Sequence, residues 1–340
     1  MYLPDTTWPR LALAVALVQG LLALGLEAYV FVTAENDIDP AAAKQTSSGR
    51  TVPMYLSLFI LAYVYELVVV YDALRLNSMI QLVGICIYNF LLLSYAAAQP
   101  LQVQNTFDSL RGSYASMGER PLLPPELHTW ERVRPALIAV IIVQAVATGI
   151  LGFLTYKLHF EFAWVVYKVV QADLGMKRRL LDHQIYMTLL KFDFFFLLGF
   201  LVQIVTLIVS PQKDPEFALS IAGIFVALAV MCLATYCAIF ENRPGSIAIV
   251  VAYLGSVVYL IYKLFRLYNE TNYMLIVFAG ITLAMMICTI VMAVVCMTNF
   301  GKGLMTYTMP QQKLPSEDIY LHDAQNQSYA ARASRLDLAH

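Results

Sequence analysis

Charge is what this sequence has least of. Only 13% of its 340 residues are charged, while 60% are hydrophobic. Soluble domains carry about twice that share of charge. The formal net charge is −1, so no global field favours nucleic acid or an acidic partner. There are five cysteines (Cys86, Cys232, Cys237, Cys288 and Cys296), all inside apolar runs. With none in a polar loop, no lumenal disulfide framework is implied. All five read as small buried thiols, and Cys296, near a span end, is the one position suited to S-palmitoylation. The five histidines (His128, His159, His183, His322 and His340) include no two in one span and none at metal-binding spacing. Gly-rich phosphate loops and G-x-S-x-G elbows are missing as well. These gaps remove the tools of metal hydrolysis, desaturation, acyl transfer and phosphoryl transfer. The expectation is a non-enzyme with no cofactor and no metal.

What fills the chain is hydrophobic length. About 20 apolar residues cross a hydrocarbon core of ~30 Å. Eight runs qualify: Leu11–Thr33, Met54–Leu74, Met79–Ala98, Pro135–Lys157, Thr188–Ser210, Phe217–Phe240, Ser246–Leu267 and Tyr273–Thr298. They are too long and continuous for barrel strands, so the expected fold is an all-α polytopic transmembrane bundle. The first run could also be a signal peptide cleaved after Ala34, which would leave seven spans. Its length and its Glu27 favour an uncleaved anchor.

Lysine and arginine set the orientation. With a cytosolic N-terminus, thirteen basic residues fall on the cytosolic side and nine on the other. The bias rests on the segment 158–187, which carries Lys177, Arg178 and Arg179. The organisation expected is a cytosolic N-terminus over 1–10, a bundle over 11–300 containing that basic segment, and a disordered cytosolic tail over 301–340. Arg75-Leu76-Asn77 is so short a link that the second and third spans must be antiparallel neighbours, and 241–245 does the same for the sixth and seventh. The polar stretch 99–134 reads as a loop with room for a short interfacial helix.

Ionisable groups inside a span are functional candidates, because each costs at least about 2.5–3.5 kcal/mol at the bilayer centre. Glu27, Glu66 and Lys263 are such groups. At ~1.5 Å per residue, Glu66 lies roughly 3 Å to the cytosolic side of its span's midpoint. Glu27 lies roughly 7 Å and Lys263 roughly 10 Å to the lumenal side of theirs. The similar depths suggest a Glu27–Lys263 ion pair; the alternative is that Lys263 snorkels alone. Asn89 and Gln19 fall near the depth of Glu66. A Glu66–Asn89–Gln19 cluster could be glue between helices or part of a polar pathway.

The segment from Trp164 to Gln203 is the most distinctive. Its basic run leads into Lys191-Phe192-Asp193, then Phe194, Phe195 and Phe196. Residues two apart do not share a helix face, so Lys191 and Asp193 read as an interfacial feature inside an aromatic belt. Asp173–Lys177 and Arg178–Asp182 have the i,i+4 spacing of helix-stabilising pairs. Together Lys177, Arg178, Arg179, Lys191 and Asp193 suggest a cytosolic contact for anionic lipid headgroups or a protein partner.

This segment also carries a resemblance. Trp164, Tyr167-Lys168, Ala172-Asp173, Lys177-Arg178-Arg179, Leu189-Leu190-Lys191-Phe192-Asp193-Phe194-Phe195-Phe196, Gly199-Phe200 and Gln203 resemble a family of fungal multi-pass proteins known as uncharacterised Golgi apparatus membrane proteins. His183-Gln184 departs from the more aromatic pair expected there. The resemblance implies a Golgi or related endomembrane address and supplies no catalytic residues. Three functions follow as expectations. The first is a non-catalytic scaffold or trafficking component acting through the basic segment, the second a proton-coupled or small-solute transporter using Glu66, and the third a seven-span receptor-like protein.

Overall fold

The computed structural model describes residues 7–38, 51–112, 128–169, 174–207, 215–267 and 273–300. The expected tail over 301–340 and Asp173 lie outside them. The described residues form eight helices: α1 (Thr7–Asp37), α2 (Thr51–Arg75), α3 (Met79–Gly112), α4 (Thr129–Val169), α5 (Leu174–Leu207), α6 (Pro215–Ile239), α7 (Arg243–Leu267) and α8 (Tyr273–Asn299). Each contains a stretch long and apolar enough to cross a membrane. In lipid a helix satisfies its own backbone polar groups, so apolar residues can cover all its faces. The outward faces are accordingly apolar, as at Leu21, Phe90, Phe225, Val258 and Phe265. Small and polar residues mark the inward faces.

The stripe Ala12, Ala16, Gln19, Gly20, Ala23, Glu27, Val30 and Ala34 is the buried face of α1. Small side chains at this spacing let neighbouring helices approach closely. Gly20 sits so near α2 that a Cβ there would lie 3.5 Å from the Tyr63 Cβ.

Helix contacts divide the bundle into two halves of four. Helix α1 packs on α4 and α2, and α3 on α4 and α2. In the second half α5 packs on α8 and α6, and α7 on α8 and α6. The halves meet where α5 lies against α2 and α3.

Both tight turns use the same device. Asn77 and Glu241 adopt left-handed φ of 49°. Behind them Ser78 N–H donates to the Ala73 carbonyl at 3.1 Å and Asn242 N–H to the Cys237 carbonyl at 3.0 Å. These are six-to-one bonds that close a helix C-terminus and reverse the chain.

Two expectations about boundaries need correction. The stretch after Ala98 is not a loop, because α3 continues through Pro100 to Gly112. Gln99, Val103, Phe107 and Leu110 recur at helical spacing and are all buried. Their period outweighs the polarity of the residues between them. Helix α4 likewise runs well past Lys157, with Leu158 and Phe162 buried.

Candidate functional site

The first half carries a polar layer at its centre, to which all four helices contribute. Gln19 of α1 donates from Nε2 to Asn89 Oδ1 and Gln144 Oε1, both at 2.9 Å, and more distantly to Glu66 Oε2 at 3.4 Å. Asn89 of α3 donates to Glu66 Oε1 at 2.8 Å. Gln144 of α4 donates to Asn89 Oδ1 at 3.0 Å, and the Tyr63 hydroxyl of α2 donates to Gln144 Oε1 at 2.9 Å. Each of these five residues is no more than 2% exposed. Glu66, Asn89 and Gln19 are therefore brought together, with Gln144 and Tyr63 added. Both Glu66 oxygens accept amide N–H groups, which suits a polar side chain tying helices together. A groove of about 390 Å³ between α1 and α4 reaches Gln19 from the lipid side, past Val15, Val18, Leu22, Ile142, Val143 and Val146. Its walls are apolar, so it offers no aqueous approach.

Glu27 and Lys263 are not brought together. Glu27 Oε2 accepts from Gln99 Nε2 of α3 at 3.0 Å. The Lys263 ammonium lies 5.8 Å from the Tyr259 ring centroid on its own helix. Similar depth placed these charges at one level, but α1 and α7 belong to different halves and pack on different neighbours. On the side of the bundle where α1 ends, Thr129 and Arg132 of α4 hold Asp37 at 2.6 and 2.7 Å.

The Lys191–Asp193 doublet does not sit together at one surface, since Asp193 is buried and Lys191, about a quarter exposed at 27%, is paired within the bundle. Lys191 forms an ion pair with Asp72 of α2 and donates to Gln81 Oε1 of α3 at 3.0 Å. Gln81 in turn donates to Asp72 at 3.1 Å, and the Tyr65 hydroxyl donates to the Lys191 carbonyl. Asp193 is 1% exposed and faces the hydroxyls of Tyr253 and Thr289 in the second half. Two residues span about 200° of helix, so the doublet addresses both halves at once.

The phenylalanines between and beyond the doublet form the seam. Tyr88 of α3 meets Phe195 edge-on at 4.8 Å, and Tyr65 of α2 stacks on Phe195 at 5.5 Å. Gly84 permits this approach, since a Cβ there would lie 2.4 Å from Phe192 Cε2. The expected aromatic belt is thus a buried interface between four-helix halves.

Of the basic run, Arg178 is exposed and Arg179 half-buried near the start of α5, while the Lys177 side chain is outside the described residues. The spaced pair Arg178–Asp182 is replaced by a bond from Asn299 Nδ2 of α8 to Asp182 at 3.2 Å. Cys296 is 1% exposed with its sulfur 3.7 Å from His183 Nδ1, which removes it as an acylation site. Cys232 and Cys288 are exposed to lipid, contrary to the reading of all five as buried. No three His, Cys, Asp or Glu side chains gather as a metal site among the described residues.

Sequence reasoning missed Gln144, Gln99, Asp72 and Gln81. Gln144 had a usable signal, being the one amide in the middle of its span. Asp72 and Gln81 flank the tight turn at Asn77, which puts both at the depth of Lys191.

Eight long helices, apolar outside and polar only where they meet, define a polytopic α-helical membrane protein. The chain is similar to the UPF0658 Golgi apparatus membrane protein of Schizosaccharomyces pombe, with 29% identity over 281 residues, covering 76% of this chain and 79% of that one. Its relationship is therefore to the fungal, uncharacterised family of Golgi apparatus membrane proteins that its 164–203 segment resembles, and by that relationship it is a multi-pass protein of the Golgi membrane. No family model and no solved structure matches it.

Proposed function

We propose that the chain is a non-catalytic scaffold or trafficking component of the Golgi membrane, and that its working surface is the basic start of α5 on the cytosolic face. The observation that carries this reading is the cross-helix bonding of the polar layer in the first half. Gln19, Glu66, Asn89 and Gln144 bond to one another across four helices, with Gln19 Oε1 alone left without a partner among their side-chain atoms. Groups occupied in this way hold the bundle together and leave the exposed Arg178 to meet partners. Near an anionic surface each lysine or arginine contributes about 1 kcal/mol, in a salt-dependent way.

The test replaces Lys177, Arg178 and Arg179 with alanine in the full chain. The variant should reach the Golgi and keep its thermal stability. It should lose salt-sensitive retention on phosphatidylserine vesicles, or lose the proteins that co-purify with the wild type. Unchanged retention together with unchanged co-purification would remove the proposal.

Transport through Glu66 is the second reading. It needs water to reach a carboxylate that is 1% exposed and bonded to Gln19 and Asn89. A Glu66→Gln chain that keeps its cellular role argues for glue, and one that stays folded but loses that role argues for a proton relay. The receptor-like reading requires the loss of α1, and with it Gln19 and the small-residue stripe that α2 and α4 pack on.

A further inference from the structure

The polar layer of the first half leaves one of its side-chain atoms over. Gln19 Nε2 donates to Asn89, Gln144 and Glu66, while Gln19 Oε1 is buried and accepts no hydrogen bond among the described residues. An amide oxygen only accepts, so what it lacks is a donor. Gln19 is itself 2% exposed, and it lines the groove between α1 and α4. That groove measures about 390 Å³ and runs along α1 from Leu11 to Leu22 and along α4 from Ile142 to Ile150. Gln19 is the one polar residue of its lining, and its rim is open to lipid at Val18, Leu22, Ile142 and Val146.

Water does not supply the missing donor, because a buried water needs two to four polar partners and these walls offer one. A charged or zwitterionic headgroup does not supply it either. Gln19 is bonded at the level of Glu66, near the middle of the span, where a charge is costly, and no charged side chain lines the groove. Size narrows the choice further. At ~30 Å³ for a group as large as a water molecule, 390 Å³ has room for roughly a dozen such groups. That suits one slender chain, and the stretch of α1 between Leu11 and Leu22 gives it a length of about 16 Å. A hydroxyl brought to this depth has lost its water, and needs an acceptor as much as Gln19 needs a donor.

We propose that the groove binds a single-chain lipid alcohol, whose hydroxyl donates to Gln19 Oε1 and whose alkyl chain lies between α1 and α4. The ligand enters sideways from the bilayer, through walls that are already apolar and open to lipid. Its hydroxyl supplies the one donor that the layer lacks, and so adds the ligand to the set of groups that Gln19 ties together. The groove shares no residue with the basic start of α5, so either proposal can fail alone.

Photocrosslinking of the full chain in phosphatidylcholine vesicles tests it, with a diazirine-labelled hexadecanol as the probe and mass spectrometry to place the adducts. The wild type should carry label on residues 11–22 and 142–150 that unlabelled hexadecanol displaces. Hexadecanol should do so at about a five-fold lower mole fraction than hexadecane, the equivalent of one hydrogen bond. Gln19→Leu removes the acceptor and should erase that difference. Val146→Trp fills the groove from its lipid-facing rim and should abolish the displaceable label. This second variant keeps the test open if Gln19→Leu does not fold. Displacement by hexadecane, palmitate or cholesterol at the same mole fraction as hexadecanol would overturn the proposal. So would a preference that survives Gln19→Leu, or labelling undiminished in Val146→Trp.

Discussion

In helices α1–α4 the carboxylate of Glu66 accepts from Gln19 and Asn89, and those amides are braced by Gln144 and Tyr63. In helices α5–α8 Asp193 is just as buried, and the groups turned toward it are the hydroxyls of Tyr253 and Thr289 rather than amides. The difference lies in the chemistry of the neighbours. A primary amide brings two N–H donors, so a ring of amides satisfies a carboxylate whatever its charge. A hydroxyl brings one donor, and that of Tyr253 also lies 2.9 Å from Met231 Sδ. One half holds its buried carboxylate with amides, the other with hydroxyls.

The largest effect that would break this contrast is expected at Asn89. Asn89→Ala removes the donor to Glu66 and the acceptor of Gln19 and Gln144 in one step. Each buried group left unsatisfied costs about 1–3 kcal/mol, so the loss should be roughly 3 kcal/mol or more. Thermal unfolding of purified protein in detergent measures it. Stability close to wild type would mean that the layer is not holding α1–α4 together.

Next in size is the seam. Gly84→Ala places a methyl 2.4 Å from Phe192 Cε2 and should cost about 1–3 kcal/mol through forced movement of that ring. Gly149→Ala, where nothing lies within 4 Å, should stabilise by up to about 1 kcal/mol through helix propensity alone. Unfolding midpoints of the two variants moving the same way would contradict the packed seam.

Smaller still is Glu66→Gln, expected to cost about 1 kcal/mol or less because one side-chain oxygen remains to accept from Asn89. The same melting assay checks it. A cost as large as that of Asn89→Ala would show that the charge, rather than the hydrogen bonding, holds the layer.

The eight spans and the two tight turns were legible in the sequence, since length and hydrophobicity decide both. The meeting of Glu66, Asn89 and Gln19 was legible because a three-residue link carries depth reliably from α2 to α3. Gln144 escaped because the stretch 99–134 severs that register, and much of the stretch proved to be helix. The Glu27–Lys263 pair failed for a related reason, as depth gives a level in the bilayer but not a neighbour. Asp193 was misread because two turns from a helix end looked like an interface. Only tertiary packing shows that α5 is covered there by α7 and α8 on one side and by α2 and α3 on the other. The aromatic string that carries the family resemblance is the seam itself.

The account's central claim is that Lys191 and Asp193, two residues apart, belong to different halves. Two double-mutant cycles in unfolding free energy test it directly. Asp72→Asn with Lys191→Met should be coupled, with the double variant costing less than the two singles together by up to about 1 kcal/mol, as befits a partly exposed ion pair. Lys191→Met with Asp193→Asn should be additive to within about 0.5 kcal/mol. Coupling between Lys191 and Asp193, with none between Lys191 and Asp72, would contradict the claim.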